Sequence, residues 1–228
     1  MVKKGNIICI EGIDGSGKGC QTQQIVEYLE SKGIRTAKYS FPRYNTTIGK
    51  VIARYLQGEF GDINNVPFEL ICIAYAADRK AAMEEIWYQV TELKTWVILD
   101  RFTYSNLFTA AKLPREKWSE FIEWIERLEF DNLRIVPPFY NFYLYVDPEI
   151  SIQRITERGK REYQDGKVDI HEDNFELLRN TAKCYLEFAK GKEDWFIIDQ
   201  MKDGQQLAPD QVFKKIKEKL DLIIKASQ

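Results

Sequence analysis

Histidine and cysteine are scarce in this 228-residue sequence. The one histidine, His171, excludes a catalytic triad or a metal cluster built from histidines. The cysteines Cys9, Cys20, Cys72 and Cys184 are scattered without a C-x-x-C pair, so we interpret them as buried or incidental thiols in a reducing compartment. The sequence also lacks an apolar run of about 18 residues and an opening signal peptide. These absences predict a cytoplasmic protein without a membrane partner.

A strong charge of either sign is absent too. The chain has 33 basic and 35 acidic residues, a net charge of −2. This balance argues against a nucleic-acid partner, although a local basic pocket for a nucleotide stays possible. With 44% hydrophobic residues the chain can bury a full core, and we predict one α/β domain over residues 1–228.

The most informative stretch is IICIEGIDGSGKGC, residues 7–20. A short apolar run, which predicts a buried strand, is followed by a glycine-rich turn, Lys18 and a helical pattern. This order is typical of a phosphate-binding loop, because backbone N–H groups curl around a polyphosphate and the lysine reaches its β- and γ-phosphates. An ordinary glycine-rich turn with an exposed lysine is the alternative. The residues predicted to bind the phosphates of this ligand are Gly12, Gly15, Ser16, Gly17, Lys18, Gly19 and Cys20.

The loop departs from the usual pattern at Gly19, where G-x-x-x-x-G-K-[ST] has a hydroxyl that binds Mg²⁺. A water molecule can take the vacated position, whereas the soft thiol of Cys20 is a poor ligand for a hard cation. We therefore expect a Mg²⁺-dependent protein with weakened metal affinity.

Alternating strands and helices predict a mostly parallel sheet covered on both faces. The predicted strands are 7–10, 35–41, 96–100, 142–146 and 195–199. The predicted helices are 18–32, one ending near 58, 67–90, 107–130 with a break at Pro114, and 208–226.

Ligands of such sheets lie beyond the carboxyl ends of the strands. Asp100 closes the apolar strand WVILD and can hold Mg²⁺ directly or through water. Arg101 follows it and can neutralise phosphate charge. The alternative is a charged surface pair at a strand end.

On the helix 67–90, Tyr75 and Arg79 lie one turn apart on the same face. A ring beside a guanidinium suits a flat heterocycle, since the ring stacks and the guanidinium bonds an edge carbonyl. Periodicity alone favours a core tyrosine beside an arginine whose charged end reaches solvent.

Taken together, the segments EGIDGSGK, FPRY, TTIGK, YAADR, DRFTYSN and DIHE resemble thymidylate (dTMP) kinases over nearly the whole chain. The resemblance implies a five-stranded parallel sheet with helices on both faces and a small mobile lid. It also implies transfer of the γ-phosphoryl group of ATP to dTMP, giving dTDP, and a homodimer. The alternatives are a monophosphate kinase of other or broader base specificity, and a catalytically weakened nucleotide-binding protein.

For the acceptor nucleotide, the resemblance implies that Asp14 accepts the 3′-hydroxyl of the sugar. Phe41, Pro42 and Arg43 would frame the acceptor phosphate, with either Arg43 or Arg101 bonding its oxygens.

For the base, the resemblance implies that Tyr75 stacks on thymine while Arg79 and Asn106 read its O4 and N3 edge. Ser105 would support that wall, and Glu172, at the end of the lid, would lie near the sugar.

Two further positions depart from the family pattern. Tyr44 stands where many relatives have an arginine, and Thr109 stands where relatives often have an aromatic residue that crowds a ribose 2′-hydroxyl, although Phe108 is adjacent.

The polar segment 158–172 is the predicted lid. Because position 15 is glycine, the loop brings no arginine of its own to the transferred phosphoryl group, whose charge must be neutralised. We expect Arg158 and Arg161 to supply that charge, the alternative being a solvated charge run. His171 is interpreted as an exposed lid residue and not as a catalytic base.

Overall fold

The structure, a computed structural model, describes residues 6–61, 66–158 and 175–227. Its centre is a five-stranded sheet of order β2-β3-β1-β4-β5, in which every strand pairs parallel with its neighbours. The strands are β1 (Ile7–Glu11), β2 (Thr36–Ser40), β3 (Trp96–Asp100), β4 (Tyr140–Tyr145) and β5 (Trp195–Asp199), and a small hairpin pairs β6 (Met201–Lys202) with β7 (Gln205–Gln206). The predicted sheet is thereby confirmed, with β4 starting two residues before its expected position.

Helices cover both faces of the sheet, as predicted. They are α1 (Lys18–Ser31), α2 (Thr47–Leu56), α3 (Phe68–Thr91), α4 (Leu107–Ala110), α5 (Trp118–Glu126), α6 (Pro148–Arg158), α7 (Phe175–Ala189) and α8 (Pro209–Ser227). Side chains of β1 alternate between the two layers: Ile8 and Ile10 pack with α1 and α8, while Ile7 and Cys9 pack with α3. The whole strand is buried, which fixes the loop that follows it against the core.

The segment predicted as one helix with a single break is instead divided into several short pieces. A 3₁₀ turn, Thr103–Asn106, precedes α4, and Pro114 adopts an extended conformation that ends the helical path. After α5 the chain continues as a π-helix over Arg127–Asn132. This wider turn carries Glu129, which is fully buried.

The structure also contains α6 and α7, two helices that the sequence pattern did not predict. The lid falls largely outside the described residues, as do Arg161 and Glu172; Arg158 is the last residue of α6. Within the described ranges, none of the helices combines the length and apolarity needed to cross a membrane.

Candidate active site

The loop between β1 and α1 contains two glycines in the left-handed region of backbone conformation, Gly15 and Gly17. Gly17, with φ 83°, caps α1 in the left-handed region. Gly15 is also left-handed, and a Cβ there would lie 2.4 Å from the carbonyl oxygen of Ser151. The side chain of Lys18 is buried inside the loop, where Nζ donates hydrogen bonds to the carbonyls of Gly12 (2.9 Å) and Ile13 (2.7 Å).

Helix α6 supports the loop from behind. Ser151 Oγ donates a hydrogen bond to the carbonyl of Asp14, and Arg154 Nη1 donates to the carbonyl of Gly15 at 3.0 Å. Arg154 Nη1 also donates to Gln200 Oε1 at 3.2 Å, and Gln200 Nε2 donates to the carbonyl of Ser16 at 2.9 Å. Arg154 therefore places a cation beside the loop, a role that the sequence analysis missed because it predicted no helix there.

Arg101, at the end of β3, is fixed against the loop. Its Nη2 lies 2.6 Å from Asp14 Oδ1 and its Nη1 donates to the carbonyl of Gly12 at 3.2 Å. Burial disfavours the charged guanidinium, but Asp14 and other nearby acidic groups outweigh burial and raise the pKa of Arg101. The arginine is therefore a permanent cation at the junction of β3 and the loop.

Two adjoining clefts open at this edge of the sheet. The first, here called the loop cleft, is lined by Gly15, Gly17, Lys18, Gly19, Cys20, Ser40, Asp100 and Arg154. The second, the inner cleft, is lined by Asp14, Tyr75, Arg79, Ser105, Asn106, Phe108, Thr109 and Tyr185, among others. Four residues line both clefts: Phe41, Pro42, Tyr44 and Arg101.

Arg43 is engaged by a buried carboxylate. Its Nε lies 3.0 Å from Asp78 Oδ1, its Nη2 donates to the Asp78 carbonyl at 2.7 Å, and its backbone N–H donates to Asp78 Oδ2 at 2.8 Å. Of the two arginines that the sequence offered for the acceptor phosphate, Arg101 is the one that lines both clefts.

Tyr75 and Arg79 both line the inner cleft, but the arginine does not reach solvent as periodicity alone favoured. It is 2% exposed and forms a two-point ion pair with Glu129, with Nε–Oε2 at 2.8 Å and Nη2–Oε1 at 2.5 Å. Asn106 Nδ2 donates to the same carboxylate at 3.0 Å. Nothing in the sequence pattern singled out Glu129, because its partners are far away along the chain.

A second buried carboxylate, Glu11, holds the opposite side of this wall. It accepts hydrogen bonds from Ser105 Oγ (2.7 Å), Tyr185 Oη (2.8 Å) and the Phe102 backbone N–H (2.9 Å). Burial raises the pKa of Glu11 more than these hydrogen bonds and the charge of Arg101 lower it. The sequence analysis missed this residue as well.

Comparisons with known proteins show the family of this chain. The thymidylate kinase family model matches residues 10–210. This chain belongs to the thymidylate kinase family. It is 30% identical to the thymidylate kinase of Mycobacterium tuberculosis (strain CDC 1551 / Oshkosh) over 214 residues, which cover 89% of this chain and 95% of that protein. It is 28% identical to the thymidylate kinase of Plasmodium falciparum (isolate 3D7) over 228 residues, covering 96% and 93%.

A solved structure of the thymidylate kinase from Candida albicans has the same fold. Its TM-score is 0.75 at 21% identity, and the match covers 100% of this chain and 96% of that one. As a member of the thymidylate kinase family, the chain is a dTMP kinase that uses ATP as phosphoryl donor. Nothing in the comparisons favours another base specificity or an inactive nucleotide-binding protein.

Two departures from the thymidylate kinase pattern lie in the inner cleft. Tyr44 lines both clefts, and Thr109 lines the inner cleft together with its neighbour Phe108. Thr109 is 6% exposed, and its Oγ1 lies 3.7 Å from Cys72 Sγ, which donates a hydrogen bond to it.

Proposed function

We propose that dTMP binds in the inner cleft and the triphosphate of ATP in the loop cleft. The observation that carries this assignment is the wall shared by the two clefts, with Arg101 in it. Two phosphate-bearing ligands that approach this wall from opposite sides would bring an acceptor phosphate and a γ-phosphate together. Holding two reactants in this way is a large part of catalysis in phosphoryl transfer.

The positions of the residues in the two clefts support the following proposed roles. Lys18 and the loop N–H groups bind the β- and γ-phosphates, and Arg101 binds the acceptor phosphate. Asp14, held by Arg101, accepts the 3′-hydroxyl of the deoxyribose. The positive charges of Lys18 and Arg101 neutralise the transferred phosphoryl group, and no general base is required. Arg158 and Arg161 remain predicted lid contributors, and Glu172 a predicted sugar contact.

The base lies against Tyr75 in this proposal. Its edge is read by Arg79 and Asn106, and Ser105 supports the wall through Glu11. Phe41 and Pro42 belong to the wall shared by the two clefts and would frame the acceptor phosphate.

Mg²⁺ is expected with ATP, and Asp100 is the residue that would hold it. The carboxylate is an oxygen donor suited to this cation, and it lines the loop cleft beside Gly19. A Cβ atom at Gly19 would lie 3.7 Å from Asp100 Oδ2, so a metal-bound water has space where other loops have a hydroxyl. When bound, Mg²⁺ neutralises phosphate charge.

The test is a coupled assay of ADP release with dTMP, dUMP, dCMP, dAMP and dGMP as acceptors. We expect dTMP to be preferred and the purine nucleotides to be poor, because a purine exceeds the slot between Tyr75 and Asn106. The methyl group alone should favour dTMP over dUMP by about 10- to 200-fold in kcat/KM. Equal rates with all acceptors would contradict the assignment of the inner cleft.

We also propose a homodimer formed through α3. Leu70, Ile73 and Tyr88 lie on one side of this helix and are 60%, 45% and 54% exposed. Exposed apolar side chains on one side of a helix are typical of an interface, and a second copy of the chain is the occupant that we propose. In sedimentation experiments, the wild type should be a dimer and Ile73→Asp a monomer. A monomeric wild type would contradict the proposal.

A cytoplasmic location is proposed from the thiols. Cys9, Cys20, Cys72 and Cys184 are all free in the structure, which suits a reducing compartment. Cell fractionation would test it.

A further inference from the structure

Glu129 is a fully buried carboxylate that no substrate-binding role explains. It lies in the π-helical segment Arg127–Asn132, a rare conformation that is frequent at functional sites. Its Oε1 accepts from Arg79 Nη2 (2.5 Å) and Asn106 Nδ2 (3.0 Å). Its Oε2 accepts from Arg79 Nε (2.8 Å) and Thr103 Oγ1 (2.7 Å).

The charge of this buried carboxylate is paired, and both of its oxygens accept hydrogen bonds. A buried charge is costly unless it is paired and hydrogen-bonded. Arg79 supplies the opposite charge, and three different side chains donate to the two oxygens. Two of those three side chains, Arg79 and Asn106, also line the inner cleft. Glu129 does not line the cleft itself, but it fixes the positions of two side chains that do.

The hydrogen bond to Asn106 has a chemical consequence. An amide has one end that donates and one end that accepts, and its orientation follows from the network around it. Nδ2 carries two N–H groups and gives one of them to Glu129, which fixes the orientation of the amide and makes Oδ1 the acceptor that Asn106 offers to a ligand. Arg79 has five N–H groups; it gives two to Glu129 and one, from Nη1, to the Phe102 carbonyl at 3.3 Å, so two remain that can donate into the cleft.

We propose that Glu129 is a positioning residue that sets the base specificity of the inner cleft. It makes the wall present an acceptor, Asn106 Oδ1, beside a donor, Arg79. A pyrimidine-2,4-dione offers the matching pair, N3–H and the O4 carbonyl. A 4-aminopyrimidine offers an acceptor at N3 and a donor at the 4-amino group, so both contacts would be mismatched. The inference rests on the proposed binding of dTMP in this cleft.

Glu129→Gln tests the proposal, because it keeps the shape of the side chain and replaces one oxygen by an NH₂ donor. Arg79 donates to both oxygens, so the NH₂ group deprives one of its N–H groups of an acceptor. Where the NH₂ group replaces Oε1, Asn106 must also turn its amide to accept from it, which brings Nδ2 toward the base. We expect kcat/KM for dTMP to fall by about 10- to 100-fold and the ratio of dTMP to dCMP to fall by at least about tenfold. The loss should be mainly in KM, since the base is bound equally in the ground and transition states.

Glu126→Gln is the matched control. Glu126 lies three residues earlier and accepts a hydrogen bond from Tyr104 Oη at 2.9 Å, away from the inner cleft. This variant should keep the wild-type ratio of dTMP to dCMP. If Glu129→Gln is folded and lowers both rates equally, the residue is only structural and the proposal is wrong.

Glu129→Asp carries the test if Glu129→Gln does not fold. The charge is kept, but the shorter side chain cannot hold Arg79 and Asn106 at once. A lowered dTMP to dCMP ratio supports the proposal and an unchanged ratio contradicts it. The wild type separates the two hypotheses. A wild type that does not prefer dTMP contradicts the proposed function. A dTMP-selective wild type whose Glu129 variants keep the same dTMP to dCMP ratio contradicts only the role of Glu129.

Discussion

Arg101 Nη2 lies 2.6 Å from Asp14 Oδ1, and this contact joins the end of β3 to the phosphate loop. The side chains are 20% and 17% exposed, so both remain accessible from the inner cleft. An ion pair at this point keeps the cation of Arg101 and the acceptor oxygens of Asp14 in fixed positions before a ligand arrives. Such preorganisation lowers the entropic cost of binding a charged substrate.

Asp14→Asn should therefore impair dTMP use more than ATP use. The variant keeps the volume of the side chain but loses the charge that holds Arg101. We expect kcat/KM for dTMP to fall by about 10²-fold, a size typical of losing a hydrogen bond to a charged group. Steady-state kinetics with each substrate varied in turn provides the measurement.

The control for this change is Glu149→Gln, which removes the charge from an exposed pair with Arg179 at 3.3 Å. It should leave the kinetics unaltered. Wild-type kcat/KM for dTMP in Asp14→Asn would contradict a role for Asp14 in the acceptor site.

Arg154→Met tests the cation that α6 brings to the loop. Methionine retains an unbranched side chain but cannot donate to the Gly15 carbonyl or neutralise phosphate. We expect kcat to fall by about 10²- to 10³-fold, as when one electrostatic donor is removed. Arg158→Met and Arg161→Met should be measured beside it, since the sequence predicts that they supply the same charge.

Arg179→Met is the exposed control for that series and should be neutral. If Arg154→Met keeps kcat within about twofold of wild type, the contact with Gly15 is only structural. The other arginines would then neutralise the negative charge of the transferred phosphoryl group.

The sheet and the phosphate loop could be predicted from sequence because both are encoded locally. The run WVILD is apolar throughout its first four residues, since a central parallel strand is buried on both faces. The positions of Tyr75 and Arg79 followed from helical periodicity, and both line the same cleft.

The partners of the charged residues could not be predicted in the same way. Arg79 and Glu129 are 50 positions apart, and Arg154 and Gly15 are 139 apart. Periodicity describes the face of one element and gives no information on which distant side chain will meet it. For the same reason the pairing of Arg43 with Asp78 was not expected.

Arg79→Ala would leave Glu129 buried without its charge partner. The free energy of unfolding should fall by about 3–5 kcal/mol.

Glu11 should make folding stability depend on pH. Burial raises its pKa, so the folded state holds this proton to a higher pH than the unfolded chain does. Between the ordinary carboxyl pKa and the raised value the folded state binds more protons, and stability falls as pH rises through that window.

Glu11→Gln lacks this titration. Urea unfolding from about pH 4.5 to about pH 8 should therefore show wild type losing stability relative to the variant as pH increases. A constant difference, or wild type gaining stability, would contradict the raised pKa.

Gly19 and Asp100 both line the loop cleft, and a Cβ atom at Gly19 would lie 3.7 Å from Asp100 Oδ2, an ordinary van der Waals contact. Gly19→Thr would place a hydroxyl beside the carboxylate that we propose for Mg²⁺. Replacing a water ligand by a fixed oxygen should lower the Mg²⁺ concentration for half-maximal dTDP formation by about tenfold, since one of about six oxygen ligands becomes part of the protein.

The control for this change is Gly19→Val, which has nearly the same shape as Gly19→Thr without the hydroxyl. Both variants remove a helical glycine and should stabilise α1 by a few tenths of a kcal/mol, so the difference between them isolates the hydroxyl. A Mg²⁺ titration of the three proteins decides the matter: equal half-maximal concentrations in Gly19→Thr and Gly19→Val would mean that the metal does not bind at Asp100 and Gly19.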